Sequence, residues 1–285
     1  MQKNNLNIAF FGTDKFSVKI LDALKDAGLL PSLVVTMPDK PKGRKLLLTP
    51  PEAKIWAEEN EIATIQPDKL DSNFLETINE LKPWDFFIVA SYGKIIGEEI
   101  INIPKYKTLN VHPSLLPKFR GPSPIESQIL ADEKNIGVTI IELDKEMDHG
   151  PIVAKKEIIL SEWPQKDEVE NMLATSGAEI LIDSIRKIVE GKAKFSPQDH
   201  SKATFTKMIE KKDAQINLSD DEYSNYRKII AYSDWPNAYF FTERKGKSIR
   251  VIIKKASWIN NKLEIEKVLP ENGREISYQD FIKGL

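Results

Sequence analysis

Asn7-Ile8-Ala9-Phe10-Phe11-Gly12, close to the start of the chain, is a short apolar run that ends in glycine. From Asp14 to Ala27 the apolar residues then follow helical spacing, with Phe16, Ile20 and Leu24 on one side. A buried strand has a continuous apolar run, whereas an amphipathic helix repeats its apolar residues every three or four positions. The segment therefore predicts a strand, a turn and a helix, which is how an α/β domain begins.

Further along the chain, predicted strands and helices continue to alternate. We predict strands at Ser32–Thr36, Ala63–Gln66, Asp85–Ala90 and Lys107–Val111, and helices at Pro51–Asn60 and Leu70–Leu81. Beyond them we predict a helix at Pro124–Ala131, strands at Gly137–Leu143 and Ile152–Leu160, and a long amphipathic segment at Asp167–Val189. Alternation of this kind favours a parallel sheet with helices on both faces. We therefore expect an α/β fold with a Rossmann-like open, mainly parallel sheet.

The pattern changes in the last third of the chain. Gly191–Thr206 is poor in apolar residues, and from Ala214 onward one predicted helix is followed by short strand-like runs. The helix is Asp220–Ala231, and the runs are Tyr239–Thr242, Ser248–Ile253 and Leu263–Val268. Short strands separated by turn residues are typical of a small β-barrel of the OB-like kind. The expected domains are a catalytic domain at 1–191, a linker at 192–213 and a barrel-like domain at 214–285.

The composition limits the possible chemistry. The chain has 285 residues, of which 41% are hydrophobic and 29% charged, as in a soluble globular protein. It has no cysteine, which excludes disulfides, thiolate nucleophiles and thiolate metal ligands. Its apolar stretches are far shorter than a membrane span, and we expect a cytoplasmic protein that does not bind a membrane.

Motifs for several cofactors and mechanisms are absent from the sequence. The turn at Gly12 lacks the G-x-G-x-x-G spacing with which a backbone approaches a pyrophosphate, so a nicotinamide cofactor is disfavoured. There is no G-x-x-x-x-G-K-[ST] sequence and no G-x-S-x-G elbow, and the three histidines are not at H-E-x-x-H spacing. We therefore expect neither a metal nor a nucleophilic serine.

The segment Asn110-Val111-His112-Pro113 has the residues that chemistry requires. Side chains alternate across a strand, so Asn110 and His112 should project from the same face, and Pro113 ends the strand there. Together with Asp148 they would supply an amide donor, a proton-transfer group and a carboxylate, as acyl transfer to an amine requires. The alternatives remain that Asn110 caps the loop, that His112 is a buried structural histidine, and that Asp148 belongs to an ordinary turn. We interpret His149 as a turn residue.

A basic loop follows the second predicted strand. Pro38-Asp-Lys-Pro-Lys-Gly-Arg-Lys45 could hold a phosphate backbone, with Lys40, Lys42, Arg44 and Lys45 as donors, or it could be a solvated loop. Charge is also uneven, because residues 192–285 contain 18 Lys and Arg against 13 Asp and Glu. This excess is compatible with a polyanionic partner, although lysines on any small domain would give the same count.

These motifs resemble the formyltransferase family that uses 10-formyltetrahydrofolate. The resemblance rests on Asn110-x-His112, on Ser114-Leu-Leu-Pro-x-x-Arg-Gly121, on Pro124-Ile125 and on the Asp148 turn. More narrowly, Phe10–Thr13, Gly43–Lys45, Thr206–Asn217 and Trp235–Ala238 resemble the methionyl-tRNA formyltransferases. In that family the matching Asn110, His112 and Asp148 are the catalytic set. His149 and Asn237 stand where small residues are usual, and Asn217 replaces a common Asp.

The resemblance also implies ligands. The pterin of the folate would lie near Phe86–Tyr92 and near the loop of Ser114, Leu115, Leu116 and Pro117, with Phe86 and Tyr92 forming the wall. The alternative for Phe86–Ala90 is that these residues are only the core of the sheet. The basic loop and the C-terminal domain would bind the acceptor arm of methionyl initiator tRNA, and the enzyme would be a monomer. The alternatives are formyl transfer to a nucleotide-linked amino sugar and hydrolysis of 10-formyltetrahydrofolate.

Overall fold

The computed structural model describes residues 6–42, 46–81, 83–244 and 246–285, and of Lys42 only the backbone. The described chain forms two compact units. One contains the residues up to Gly121 together with Gly137–Ile158 and Glu170–Phe205. The other contains Pro122–Ile136, Ile159–Val169 and Thr206–Leu285. Within the described ranges, no helix is both long and apolar enough to cross a membrane.

The secondary structure follows the predicted alternation in the first unit. In chain order the strands are β1 Ile8–Gly12, β2 Leu33–Val35, β3 Lys40–Lys42, β4 Leu47–Thr49, β5 Ala63–Ile65, β6 Phe86–Ala90, β7 Lys107–His112, β8 Asn135–Glu142, β9 Ile152–Ile159, β10 Tyr239–Arg244, β11 Lys247–Ile259, β12 Lys262–Pro270 and β13 Ile276–Ser277. The α-helices are α1 Lys15–Asp26, α2 Glu52–Glu59, α3 Ser72–Leu81, α4 Glu98–Ile101, α5 Pro124–Leu130, α6 Lys166–Val189, α7 Glu222–Ala231 and α8 Tyr278–Lys283.

A seven-stranded sheet organises the first unit, in the order β5-β2-β1-β6-β7-β8-β9. The first five strands of this order are parallel to one another, and β8 runs antiparallel to β7. β1 and β6 are fully buried along their length, as expected for strands that are covered on both faces. The predicted mainly parallel Rossmann-like sheet is thus confirmed.

The opening of the fold matches its sequence closely. Asp14 caps α1, because its Oδ1 accepts a hydrogen bond of 3.1 Å from the backbone N–H of Ser17. The Ser17 hydroxyl in turn donates to the carbonyl of Ala90 at 2.7 Å, which ties the helix to the end of β6. Gly12 leaves room for this contact, since a Cβ there would lie 2.7 Å from the Ser17 Oγ.

One hairpin was not predicted. β3 and β4 pair antiparallel at Lys40 to Thr49 and at Lys42 to Leu47, so that β3 lies within the segment that we expected to be a loop and β4 follows it. Leu46, Leu47 and Leu48 of this hairpin are all exposed.

The second unit contains a four-stranded antiparallel sheet, in the order β10-β11-β12-β13. Its core includes Phe240, Val251, Val268 and Phe281, so α8 contributes to the same apolar cluster as the strands. The three predicted runs are confirmed as β10, β11 and β12, and the sheet is consistent with a small barrel. The short β13 and α8 were not predicted.

Candidate active site

The end of β7 presents two polar side chains on one face of the sheet. Val111 points to the other face, toward α6, where a Cβ added to Gly177 would lie only 2.8 Å from a Val111 methyl group. Asn110 and His112 both reach Asp148: the Asn110 Nδ2 lies 3.3 Å and the His112 Nδ1 3.5 Å from the Asp148 Oδ1. The three residues that the sequence singled out therefore converge, although Asp148 is 38 positions from Asn110.

A backbone carbonyl determines where His112 carries its hydrogen. The His112 Nε2 lies 2.9 Å from the carbonyl oxygen of Phe119, and a carbonyl can only accept, so Nε2 carries the hydrogen. This leaves Nδ1, beside Asp148, as the nitrogen that can gain and lose a proton. His112 is only 4% exposed, so the carboxylate acts on it through little intervening water.

Asp148 is held as an acceptor on both oxygens. Its Oδ2 accepts a 2.7 Å hydrogen bond from the backbone N–H of Gly121, and its Oδ1 accepts from Asn110. This is the bonding pattern of an ionised carboxylate. The residue has a φ of +50°, which is unfavourable for a side chain with a Cβ and is maintained by the surrounding contacts.

Two buried polar residues fasten the Asp148 turn from behind. The Gln198 Nε2 donates to the carbonyls of Asp148 and Gly150 at 2.9 and 2.8 Å. The Gln198 Oε1 accepts from the guanidinium of Arg120, at 2.7 Å from Nη2 and 3.2 Å from Nε. Arg120 and Gln198 are 3% and 5% exposed, so these bonds have little competition from water. Sequence reasoning missed this role for both residues.

Gly150 is required by the same turn. A Cβ at this position would lie 1.9 Å from the carbonyl oxygen of Glu142, at the end of β8. The turn can therefore approach the sheet only with glycine there. The Glu142 N–H donates to the carbonyl of Pro151 at 3.0 Å, which closes the turn against the strand.

Hydrogen bonds within the loop after β7, and from that loop to strands β8 and β9, hold its polar groups. The Ser114 hydroxyl donates to the Lys118 carbonyl at 2.7 Å, and the Thr139 hydroxyl donates to the Ser114 carbonyl at 2.7 Å. The Thr139 oxygen also accepts from the Leu116 N–H at 3.1 Å, and the Lys155 ammonium donates to the Leu116 carbonyl. Burial lowers the pKa of Lys155.

The residues that we expect to contact the folate differ in their exposure to solvent. Ser114 and Leu116 are fully buried and support the loop, whereas Leu115 and Pro117 are partly exposed. Tyr92 follows β6 at the edge of the sheet where β7 also ends, and its ring lies 5.6 Å from that of Phe11. Burial raises the pKa of Tyr92 to about 12, so its hydroxyl stays neutral. That hydroxyl is buried and has no hydrogen-bond partner among the described residues.

Phe86 is not brought to this edge. It begins β6, at the opposite end of the strand from Ala90, is 0% exposed and stacks on Tyr106 with ring centroids 5.2 Å apart. Its environment is that of a core residue.

The basic segment lies on the β3–β4 hairpin. Lys40 is exposed, while Arg44, Lys45 and the side chain of Lys42 lie outside the described residues. Hydrogen bonds from Gln66 and Lys54 lower the pKa of Asp39, at the base of the hairpin. Within the described ranges, no group of three His, Cys, Asp or Glu could hold a metal.

Comparison with known proteins identifies relatives of this architecture. A family model described as formyl transferase matches residues 6–185. A methionyl-tRNA formyltransferase from Sulfurihydrogenibium sp. (strain YO3AOP1) is 42% identical over 236 residues, which are 82% of this chain and 76% of the relative. The structure of a methionyl-tRNA formyltransferase from Clostridium thermocellum superposes with a TM-score of 0.60 at 18% identity, covering 95% of this chain and 99% of that one.

A second solved structure carries ligands. The N-formyltransferase from Helicobacter canadensis, in complex with folinic acid and dTDP-3-aminofucose, has a TM-score of 0.64 at 18% identity and covers 90% of this chain and 88% of its own. At this level of identity the likeness supports the fold alone.

Proposed function

The chain belongs to the formyltransferase family, and we propose that it transfers the formyl group of 10-formyltetrahydrofolate to the α-amino group of methionyl initiator tRNA. The observation that carries this proposal is the convergence of Asn110, His112 and Asp148 at the end of β7. The choice of methionyl-tRNA over an amino sugar rests on relatives that share about two fifths of their residues with this chain and carry that name.

Asn110 would stabilise the charge that develops during the reaction. The amine nitrogen attacks the formyl carbon, a C–N bond forms, and the formyl oxygen becomes an anion. The Asn110 Nδ2 has two hydrogens, of which one faces Asp148, so the other can donate to this oxygen. A positioned amide donor of this kind lowers the barrier by about 3 kcal/mol.

His112 would carry the proton between the two nitrogens. Its Nδ1 takes the proton from the attacking amine, and Nε2 stays bonded to the Phe119 carbonyl throughout. When the bond between the formyl carbon and N10 breaks, the same proton passes to N10, and the imidazole returns to its neutral form. Asp148, 3.5 Å from Nδ1, stabilises the imidazolium between these two steps.

The ligand contacts are part of the same proposal. Tyr92 and the loop of Ser114, Leu115, Leu116 and Pro117 would border the pterin, at the edge of the sheet where β6 and β7 end. Phe86 is omitted because it is buried at the far end of β6. Lys40, Lys42, Arg44 and Lys45 would contact tRNA phosphates, together with the C-terminal residues 214–285.

Product analysis tests the proposal. The protein is mixed with 10-formyltetrahydrofolate and methionyl initiator tRNA, and the aminoacyl group is released and identified by mass. We expect N-formylmethionine and one equivalent of tetrahydrofolate. Two further reactions replace the tRNA by a nucleotide-linked amino sugar or omit the amine. Formylation of the sugar alone, or formate release without any amine, would overturn the assignment.

A further inference from the structure

Two histidines outside the proposed catalytic set stack on each other beside it. The rings of His149 and His200 are 4.0 Å apart between centroids and lie within 6° of parallel. His149 directly follows Asp148, and His200 lies on a short 3₁₀ turn at His200–Lys202. The proposed reaction gives neither ring a role.

Each ring forms a hydrogen bond with a charged side chain, His200 with an arginine that can only donate and His149 with a carboxylate that accepts. The Arg120 Nη2 lies 2.8 Å from the His200 Nδ1. Arginine can only donate, so the His200 Nδ1 must be unprotonated and its hydrogen must be on Nε2. The His149 Nδ1 lies 2.7 Å from the Asp144 Oδ2, where it donates to the carboxylate. Both rings are therefore fixed in tautomer as well as in position.

The same arginine connects this stack to the catalytic turn. The Arg120 Nη2 contacts both the His200 Nδ1 and the Gln198 Oε1. Gln198 then donates to the carbonyls of Asp148 and Gly150. His149 is joined to Asp148 by the peptide bond itself. The contacts therefore form a ring that runs from Asp148 through Gln198, Arg120, His200 and His149 back to Asp148. Arg120 and Gln198 are buried, and His200 is exposed.

We propose that His149 and His200 are positioning residues, which act through the Asp148 turn and keep its carboxylate aligned with His112 and Asn110. The inference rests on the proposed function. Neither histidine touches the reacting atoms in this account. Without the stack, the Asp148 turn would keep its bonds to Gln198 and to the Gly121 N–H but would lose its support on the His149 side, at a residue whose φ of +50° is unfavourable.

A double-mutant cycle with Asp148 tests this role. His200→Ala is measured in the natural protein and in an Asp148→Asn background, by single-turnover formylation with both substrates saturating. Because a small misplacement of a catalytic group costs a large factor in rate, we expect roughly a tenfold loss in the natural protein and none in the Asp148→Asn background. An equal loss in both backgrounds would overturn the proposal, since a residue acting through Asp148 cannot matter once that carboxylate is gone.

Two controls separate positioning from folding. Ser201→Ala changes an exposed residue on the same turn and should leave the rate unchanged. The substrate concentrations that give half-maximal rate should change less than about twofold in His200→Ala, because the proposal concerns alignment and not binding. A loss that lies only in substrate binding would contradict it.

The tautomers are tested without any activity. The chain has three histidines, so their ring nitrogens give three resolvable patterns in a ¹⁵N NMR spectrum of the natural protein. We expect an unprotonated Nδ1 for His200 and a protonated Nδ1 for His149 at neutral pH. A protonated His200 Nδ1 would overturn the proposal even if every substituted variant failed to fold. A natural protein with no formylation activity would instead reject the proposed function.

Discussion

Two loops of the first unit follow parallel strands, and they differ in how their polar groups are held. The polar groups of the loop after β7 are held by hydrogen bonds. The Ser114 hydroxyl donates within the loop, and the N–H groups of Leu116 and Phe119 donate to the hydroxyls of Thr139 and Thr204. The hairpin after β2 exposes Lys40 and three consecutive leucines. Proton transfer requires atoms held within hydrogen-bond distance of each other, whereas attraction to phosphates requires an exposed positive charge. Substitutions of the buried polar groups at the end of β7 should therefore act on rate, and those in the hairpin on affinity.

The largest effect is expected for His112→Ala. It removes the group that carries the proton, and general acid–base catalysis contributes roughly 10²–10⁴-fold. Single-turnover formylation with saturating substrates should slow by a factor in that range, and the protein should stay folded with a lower thermal unfolding temperature, because the Phe119 carbonyl loses its donor. Lys118→Ala, at an exposed position in the loop after β7, is the control and should leave the rate unchanged. A fully active His112→Ala protein would remove the distinction between the two loops.

A smaller loss is expected for Asn110→Ala. The substitution deletes the donor to the developing oxyanion, which costs about 10²–10³-fold in kcat. The half-saturating tRNA concentration should not change, because the oxygen is anionic only in the transition state. Steady-state kinetics with varied tRNA measures both. A variant with unchanged kcat and weakened tRNA binding would show that Asn110 binds the substrate and does not stabilise the transition state.

Gln198→Leu should give the third effect. It leaves the carbonyls of Asp148 and Gly150 and the guanidinium of Arg120 without their partner. Unsatisfied buried groups cost roughly 1–3 kcal/mol each, so denaturant unfolding should show a clear loss of stability as well as a lower kcat. Gln279→Leu, at an exposed position, is the control. If Gln198→Leu unfolds at the same denaturant concentration as the natural protein, the Asp148 turn does not need the Gln198 hydrogen bonds.

The smallest effect is expected for Lys40→Ala. Removal of one phosphate contact should weaken tRNA binding severalfold and reduce the slope of log affinity against log salt by about one, with kcat unchanged. Filter binding across a salt series measures both quantities. Lys187→Ala, at an exposed lysine of α6, is the matched control. Loss of kcat in Lys40→Ala at saturating tRNA would break the comparison, because it would put the hairpin among the rate-determining contacts.

Local pattern and resemblance were enough to predict the proposed catalytic residues. They were not enough to predict the residues that hold the Asp148 turn in place. Two-residue alternation places Asn110 and His112 on one face, and this needs only the strand. Asp148 was selected through the motif, because nothing local predicts a contact across 38 positions. Gln198 and His200 pair with Arg120 across 78 and 80 positions, and their segment has too few apolar residues to predict burial.

The fold shows the same division. Apolar runs and helical spacing predicted β1, β6 and α1, because each is specified by its own side chains. The β3–β4 hairpin escaped prediction, since Pro41, Gly43 and four basic residues have the composition of a loop. For Phe86 the sequence leaves two roles open, the wall of the folate site or the core of the sheet, and the structure places it in the core at the far end of β6.

The most direct test of the central claim asks whether Asn110, His112 and Asp148 act as one unit. Single-turnover formylation is measured for the three single alanine variants and for the variant that carries all three substitutions. If the groups converge on one carbon, the combined variant should be about as slow as the slowest single variant, because residues that act together give strongly non-additive losses. A combined loss equal to the product of the three single losses would show that they contribute independently, and would contradict the mechanism.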